Sequence, residues 1–220
     1  MRTVAIISQK GGAGKTTLAI HLAAAASAEV VTLIVDTDVQ ATASRWAAWR
    51  GGGDPEVVDC GAPSLLEGKL GKARDLGAQL AVLDTPPHAD AMARQAARLA
   101  DLILIPCRPR AFDLAAIEAT AELVRASRKK AFVVFMAGPP RAPLMYREAE
   151  ELIQSTFSLA IAPVRLHERA AFHHSTASGQ HAGQWDSKGK AAAETCALWT
   201  WTRGQLDMSP GEPVHMVHVG

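Results

Sequence analysis

Ten residues, Ser8-Gln9-Lys10-Gly11-Gly12-Ala13-Gly14-Lys15-Thr16-Thr17, carry the densest chemistry in the sequence. Gly11, Gly12 and Gly14 let bare backbone approach an anion. The run KTTLAIHLAAAASA that follows reads as a helix, so its unbonded N–H groups and positive dipole end face the same anion. Lys15 is placed to reach the β and γ phosphates of a nucleotide, and the Thr16 hydroxyl to bind Mg²⁺. Ala13 and Thr17 complete the contact stretch. The general pattern G-x-x-x-x-G-K-[ST] asks for glycine where Gln9 stands, and it has no need of a second lysine. Lys10 sits on the outer rim of the loop, pointing away from the buried side of its own nucleotide. Its natural target is a phosphate held by another subunit across a two-fold face. An ammonium delivered there would stabilise charge on a transferring phosphoryl group.

Hydrolysis at such a loop needs a magnesium organiser and a group to hold the attacking water. LAVLDTPP ends an apolar strand on Asp84, which is suited to hold Mg²⁺ through water. In VDTDVQ, Asp36 and Asp38 are two apart and point the same way on an extended chain. Asp36 joins Thr16 and Asp84 as the expected magnesium set, the acids acting through water. Asp38 lies further out and is the candidate to orient water. The bland alternative for these acids is strand-end turns and helix capping; the phosphate loop beside them argues for the chemical role.

The elements that position these groups follow one design. TVAII (3–7), VVTLIVD (30–36), QLAVLD (79–84), DLILIP (101–106) and AFVVFMAG (131–138) are short apolar runs of buried strands, several ending on an acid or proline. Helical patterns lie between them, near 41–50, 64–77, 89–99 and 112–128. Further helices are expected over 144–157, 168–179 and 187–206, the last with Ser187 as a cap. Apolar strands alternating with helices give an α/β class fold: a doubly wound, mostly parallel sheet covered on both faces. Ligands of such sheets lie beyond the strand C-termini, where Asp36, Asp38, Asp84 and Pro106 fall. The expected organisation is one phosphate-loop domain over 1–207. The proline-containing end MSPGEPVHMVHVG (208–220) reads as a flexible tail.

Composition bounds the rest. The 220 residues suffice for one sizeable α/β domain. A formal net charge of +1 makes the whole molecule no magnet for nucleic acid, so any such site is a local patch. Cys60, Cys107 and Cys196 form no C-x-x-C pair, which argues against zinc and disulfides and fits a reducing cytosol. The phosphate loop follows the first apolar run at once, leaving no room for an export signal. Four histidines, His167, His173, His174 and His181, match no usual metal spacing. Trp46 and Trp49, three apart on one helix, read as core or interface packing; Trp199 and Trp201 cannot share a helix face.

K-G-G-x-G-K-T-T (Lys10 to Thr17), D-x-D-x-Q (Asp36 to Gln40) and D-T-P-P (Asp84 to Pro87) together resemble the deviant Walker A ATPases of the ParA/MinD family, most nearly the small partition proteins. The resemblance runs from about Met1 to about Leu206. It implies a nucleotide-sandwich homodimer when ATP and Mg²⁺ are bound. Lys10 would be the signature lysine, Lys15 the loop lysine, Thr16 the metal ligand and Asp38 the water-activating acid. Val39 stands where the family carries proline, which loosens the switch loop and spares the carboxylates. Adenine contacts are expected near Met136, Pro139 and Arg141, through backbone or apolar surface, because Ala137 and Gly138 offer no side-chain hydrogen bond. Pro106 and Pro109 either line the dimer face or simply stiffen a strand-to-helix turn.

The resemblance also implies a C-terminal patch binding DNA without reading sequence, here Arg165, Arg169, His173, Lys188 and Lys190 with His167 nearby; a solvated helix face is the rival account. The implied activity is weak ATP hydrolysis, stimulated by a centromere-binding or cargo-adaptor protein, in the cytoplasm on the nucleoid. The implied output is plasmid or chromosome partition. The alternatives are positioning of a protein cargo such as a chemoreceptor cluster or carboxysome, or assistance to conjugative DNA transfer, which the segment HERAAF (167–172) resembles. A membrane cycle is not expected, since the tail has no Lys or Arg. Binding without hydrolysis is the remaining alternative, should Val39 silence turnover.

Overall fold

In a computed structural model, which describes residues 1–87 and 90–210, strands and helices alternate as the hydrophobic runs require. The first half contains β1 (Arg2–Ile6), α1 (Lys15–Ala26), β2 (Thr32–Asp36), α2 (Thr42–Arg50), β3 (Glu56–Asp59), α3 (Pro63–Asp75), β4 (Leu80–Asp84), α4 (Asp90–Leu99) and β5 (Leu102–Cys107). The second half contains α5 (Ala111–Ala115), α6 (Ile117–Ser127), β6 (Lys130–Gly138), α7 (Pro143–Leu152), a π-helical turn (Ile153–Phe157), β7 (Ala160–Ile161), β8 (Leu166–His167), α8 (Ala170–Ala177), α9 (Ala182–Trp185) and α10 (Lys190–Gln205).

The strands form one sheet in the order β3-β2-β4-β1-β5-β6-β7, with every pairing parallel. β8 shares the edge of β6 with β7: β7 pairs at Phe132 and Val133, and β8 pairs further along, from Met136 to Gly138 across an irregularity. Central strands β1, β2, β4 and β5 are apolar on both faces because helices cover both. Ala5, Val35, Leu83, Ile105 and Phe135 point to the layer that includes α3, α4 and α6. Val4, Ile34, Val82, Leu104 and Val134 point to the layer that includes α1, α2, α8 and α10. The alanines of α1 do what their size permits: Ala19, Ala23 and Ala26 are fully buried where α1 crosses the sheet and α10.

Several elements differ from the sequence expectation, each for a local reason. β3, β7 and β8 were not expected; they are edge segments of four, two and two residues, too short to show a period. The pattern at 112–128 breaks at Ala116, and that at 144–157 passes into the π-turn after Leu152. α10 starts at Lys190 with Gly189 as its N-cap, so Ser187 is not the cap. Trp46 is buried and its Nε1–H donates to Gln180 O (3.0 Å), whereas Trp49 is 62% exposed. Met208–Pro210 have no regular structure, and the remainder of the expected tail lies outside the described residues.

His21 shows how tightly α1 is packed. It is wholly buried, its Nδ1 lies 2.9 Å from Thr17 O and its ring meets Phe172 edge-on at 4.9 Å. Burial pushes its pKa down to about 4, the Thr17 carbonyl partly opposing. A neutral native imidazole against an unfolded one near 6.5 means that stability is full above pH 6.5 and falls as pH drops through 6.5 toward 4. The loss is up to about 3 kcal/mol. Urea titrations of wild type and His21→Gln across that range are expected to show the wild-type slope flattened in the variant.

Candidate functional site

At the C-terminal edge of β1 the chain turns into the loop Ser8–Gly14. Gln9 N–H donates to the buried hydroxyl of Thr120 on α6 (3.1 Å), which ties the loop to the opposite helix layer. Gly14 is the N-cap of α1 with φ 99°, and a Cβ there would lie 3.2 Å from Met136 Cε. Glycine is therefore needed for both handedness and space. No side chain caps α1, which leaves its first turn of N–H groups open to a ligand. Lys15 is 7% exposed, and its Nζ donates to Lys10 O at 2.9 Å, so the loop closes on its own lysine. Burial lowers the Lys15 pKa, with Asp84 and Asp38 pulling it back up.

Asp84 ends β4 between β1 and β2 and is fully buried. Its main chain is fixed by Thr37, whose N–H and Oγ1 both donate to Asp84 O (3.0 and 2.8 Å). Thr85 Oγ1 donates to Ile6 O (2.7 Å) and joins the ends of β4 and β1. Neither carboxylate oxygen of Asp84 has a hydrogen bond of good geometry. Burial drives its pKa up to about 7; the nearby Thr16 hydroxyl and Lys15 ammonium only partly offset this. A buried carboxylate short of partners, beside a hydroxyl and an ammonium, has the donor chemistry of a hydrated Mg²⁺ site. Thr16 and Asp84 fit that ion.

Asp36 is employed differently. Its carboxylate accepts from Asp38 N–H (3.1 Å) at one oxygen and from the Ser44 N–H and hydroxyl (3.0 and 3.2 Å) at the other. Ser44 Oγ is also bonded to Asp59 at the end of β3. Burial raises the Asp36 pKa and the bonds from Ser44 and Asp38 oppose it. Asp36 thus fastens the loop 37–41 to the start of α2, and its oxygens are spent on that anchor. Asp38 is half-buried in the loop; its Oδ1 accepts Gln40 N–H (2.9 Å), leaving Val39 at the apex 84% exposed. The two carboxylates have different partners: Asp36 is bonded to Ser44 and the Asp38 N–H, and Asp38 to the Gln40 N–H.

Lys10 is engaged within its own chain. Its Nζ lies 2.7 Å from Asp113 Oδ1 on α5, and both side chains are largely sheltered. Asp113 lies in the first turn of this short helix after β5, at the start of the helical pattern expected over 112–128. Phe112 beside it is 87% exposed.

A narrow cleft of about 60 Å³ opens on the other side of Gly14 and Thr17. Met136, Ala137 and Phe172 give it apolar surface, Leu166–Arg169 one wall, and Arg108 and His173 its rim. Of the expected base contacts, Met136 is here; Pro139 and Arg141 are not among its lining residues. The Leu166–Arg169 wall was missed because only the pairing of β8 with β6 brings it there. That pairing leaves no signal in a two-residue strand.

The residues expected to contact DNA have different surroundings. Arg165 is bonded to Glu150 (2.5 Å) and lies over the Tyr146 ring. Arg169 is bonded to Glu194 (2.5 Å) and, with His173, lines the cleft. Lys188 and Lys190 are exposed before and at the start of α10. No helix among the described residues is long and apolar enough to cross a membrane.

Three relatives place this geometry. Over 215 residues, 94% of each chain, the protein is 35% identical to the maintenance of carboxysome distribution protein A of Gloeobacter kilaueensis. It is 28% identical to the chromosome-partitioning ATPase Soj of Thermus thermophilus, over 83% of this chain and 92% of that one. It shares its fold with an Asp-to-Ala variant of Cyanothece McdA solved as an ATP complex (TM-score 0.73, 15% identity, 95% and 97% of the chains). Residues 4–182 match the CobQ/CobB/MinD/ParA nucleotide binding domain, and with the loop, the acids and the parallel sheet in place, the chain belongs to the ParA/MinD family.

Proposed function

We propose that the protein is an ATP-driven positioning switch. It binds ATP with Mg²⁺, pairs with a second copy across the nucleotide face, holds DNA without sequence preference as that dimer, and is reset by slow hydrolysis that an adaptor protein accelerates. The observation that carries this reading is the Asp84 carboxylate, buried and short of partners beside Lys15 and Thr16. The cargo in this proposal is a protein assembly of the carboxysome kind, supported by 35% identity along 94% of both chains. A plasmid or chromosome is the second reading, favoured by the likeness to Soj.

Each step falls to named groups. The N–H groups of Gly11–Thr16 cradle the phosphate oxygens, and Lys15, released from Lys10 O, reaches the β and γ phosphates. Thr16 and Asp84 would hold Mg²⁺, which would supply charge neutralisation on the triphosphate. Asp38 orients the attacking water once its loop closes, giving up the Gln40 N–H it now holds. Lys10 leaves Asp113 to meet the partner's phosphates, so ATP and the second copy together must outweigh a sheltered ion pair. That competition supports a nucleotide-free protomer that stays apart from its twin.

DNA contact in this proposal rests on cations without an acid partner among the described residues. These are Lys188 and Lys190, and the junction of α6 with β6, where Arg125, Arg128 and Lys130 are exposed. Such binding is phosphate-driven and steeply salt-dependent.

Asp38→Ala is expected to keep ATP affinity and lower phosphate release by roughly a hundredfold or more, read by fluorescent-nucleotide binding and single-turnover assays. Lys10→Ala should bind ATP and remain monomeric in light scattering, whereas Asp113→Asn should dimerise at lower ATP than wild type; unchanged behaviour of both removes the cross-subunit role. Retention on a nonspecific DNA column should require ATP, fail with ADP and fall with salt, and Arg128→Glu with Lys130→Glu should weaken it. Equal retention with ATP, ADP and no nucleotide would rule out the switch.

A further inference from the structure

The cleft beside Gly14 and Thr17 is bounded by flat apolar surface at Met136 and Phe172, which suits an aromatic heterocycle better than a phosphate. Its other wall, Leu166–Arg169, meets the sheet along one short edge: β8 pairs with β6 at two residues, and Glu168 N–H donates to Gly138 O (2.9 Å). A second element fastens the polar side chains of that wall. Glu194, on α10, accepts a hydrogen bond from His167 N–H (3.1 Å), and its carboxylate lies 2.7 Å from His167 Nδ1. It also accepts from Arg169 Nε (3.0 Å) and Arg169 Nη2 (2.5 Å). The three side chains are 14–19% exposed. Glu194 is the one acid in KAAAETCALWTWTRGQ, and the helix that carries it packs on α1, which forms the opposite side of the cleft. Burial alone would raise the Glu194 pKa, but the bonds from Arg169 and His167 hold it below the ordinary glutamate value.

We infer that Glu194 is a positioning residue for the base of the nucleotide: it fixes the Leu166–Arg169 wall from α10, so that the wall meets the edge of the ring while Met136 and Phe172 meet its faces. This rests on the reading that the phosphate loop holds a nucleotide. His167 Nδ1 and Arg169 Nε and Nη2 are taken by Glu194, so these atoms are not offered to the ligand. Discrimination between rings then comes from the shape and main chain of the wall, and it is lost when the wall is released. The phosphates, held by Gly11–Thr16, are indifferent to Glu194.

Binding of ATP, GTP and inorganic tripolyphosphate, each with Mg²⁺, is measured by calorimetry on wild type, Glu194→Gln and Arg169→Lys, with thermal melts of each. Arg169→Lys keeps the charge and loses the two-point grip, so it serves if Glu194→Gln folds poorly. The expected result is a loss of ATP affinity of roughly tenfold or more in both variants, a smaller ratio of ATP to GTP affinity, and unchanged tripolyphosphate binding. Unchanged ATP affinity and ratio would overturn the inference, as would an equal loss for tripolyphosphate, which marks a general structural effect. Wild type that binds tripolyphosphate but discriminates no nucleotide from it would overturn the placement of the base. Wild type that binds none of the three would instead remove the nucleotide reading beneath it.

Discussion

Burying Asp84 at the end of the central strand costs free energy, because a carboxylate loses its water there and gains no full set of hydrogen bonds in return. A fold selected for stability alone would replace it with an apolar residue. Its retention makes sense when a ligand completes it, and the surroundings are arranged for that completion. Thr37 and Thr85 lock the ends of β4 and β1, so the carboxylate faces the phosphate loop. Lys15 stands beside it at lowered pKa, and Thr16 offers a hydroxyl. The parallel sheet sets these groups together by register alone, since Ile6, Asp36 and Asp84 are aligned across β1, β4 and β2.

Around that centre, each partner of the nucleotide is tied to a different part of the molecule. The loop backbone is held by Thr120 of α6, the switch loop by the Asp36–Ser44 anchor on α2, the rim lysine by Asp113 of α5, and the wall of the cleft by Glu194 of α10. α2 is joined in turn to the C-terminal helices through Trp46 and Gln180, where Gly179 packs too closely on Trp49 and Arg50 for any side chain. A change in the phosphate site therefore has mechanical routes to both helix layers. The polar ties are few and specific, and the rest is close-packed apolar contact that transmits movement.

The sequence made the central layer legible because buried parallel strands are unbroken apolar runs and the loop has its own glycine grammar. Asp84, Lys15 and Thr16 were readable from position relative to those runs. The acids of VDTDVQ were readable as two roles, one for metal and one for water, but the anchoring bonds of Asp36 were not, because the bond from Ser44 to Asp36 depends on how α2 begins. Edge strands and the cleft wall were not readable at all: their places come from pairing with β6 and from Glu194, a contact 25 and 27 residues away in sequence. Basic residues near the C-terminus looked like a patch in one dimension; in three, Arg165 and Arg169 have acidic partners that the linear pattern does not reveal.

In the proposed switch the phosphate site is incomplete without a divalent cation at Asp84. Calorimetric titration of ATP with Mg²⁺ and with EDTA, on wild type and Asp84→Asn, tests it most directly. The account predicts that wild type loses roughly tenfold or more of its affinity in EDTA and that the variant, whose amide needs no counter-ion, shows little dependence on Mg²⁺. Wild-type affinity that is the same in Mg²⁺ and EDTA would contradict it.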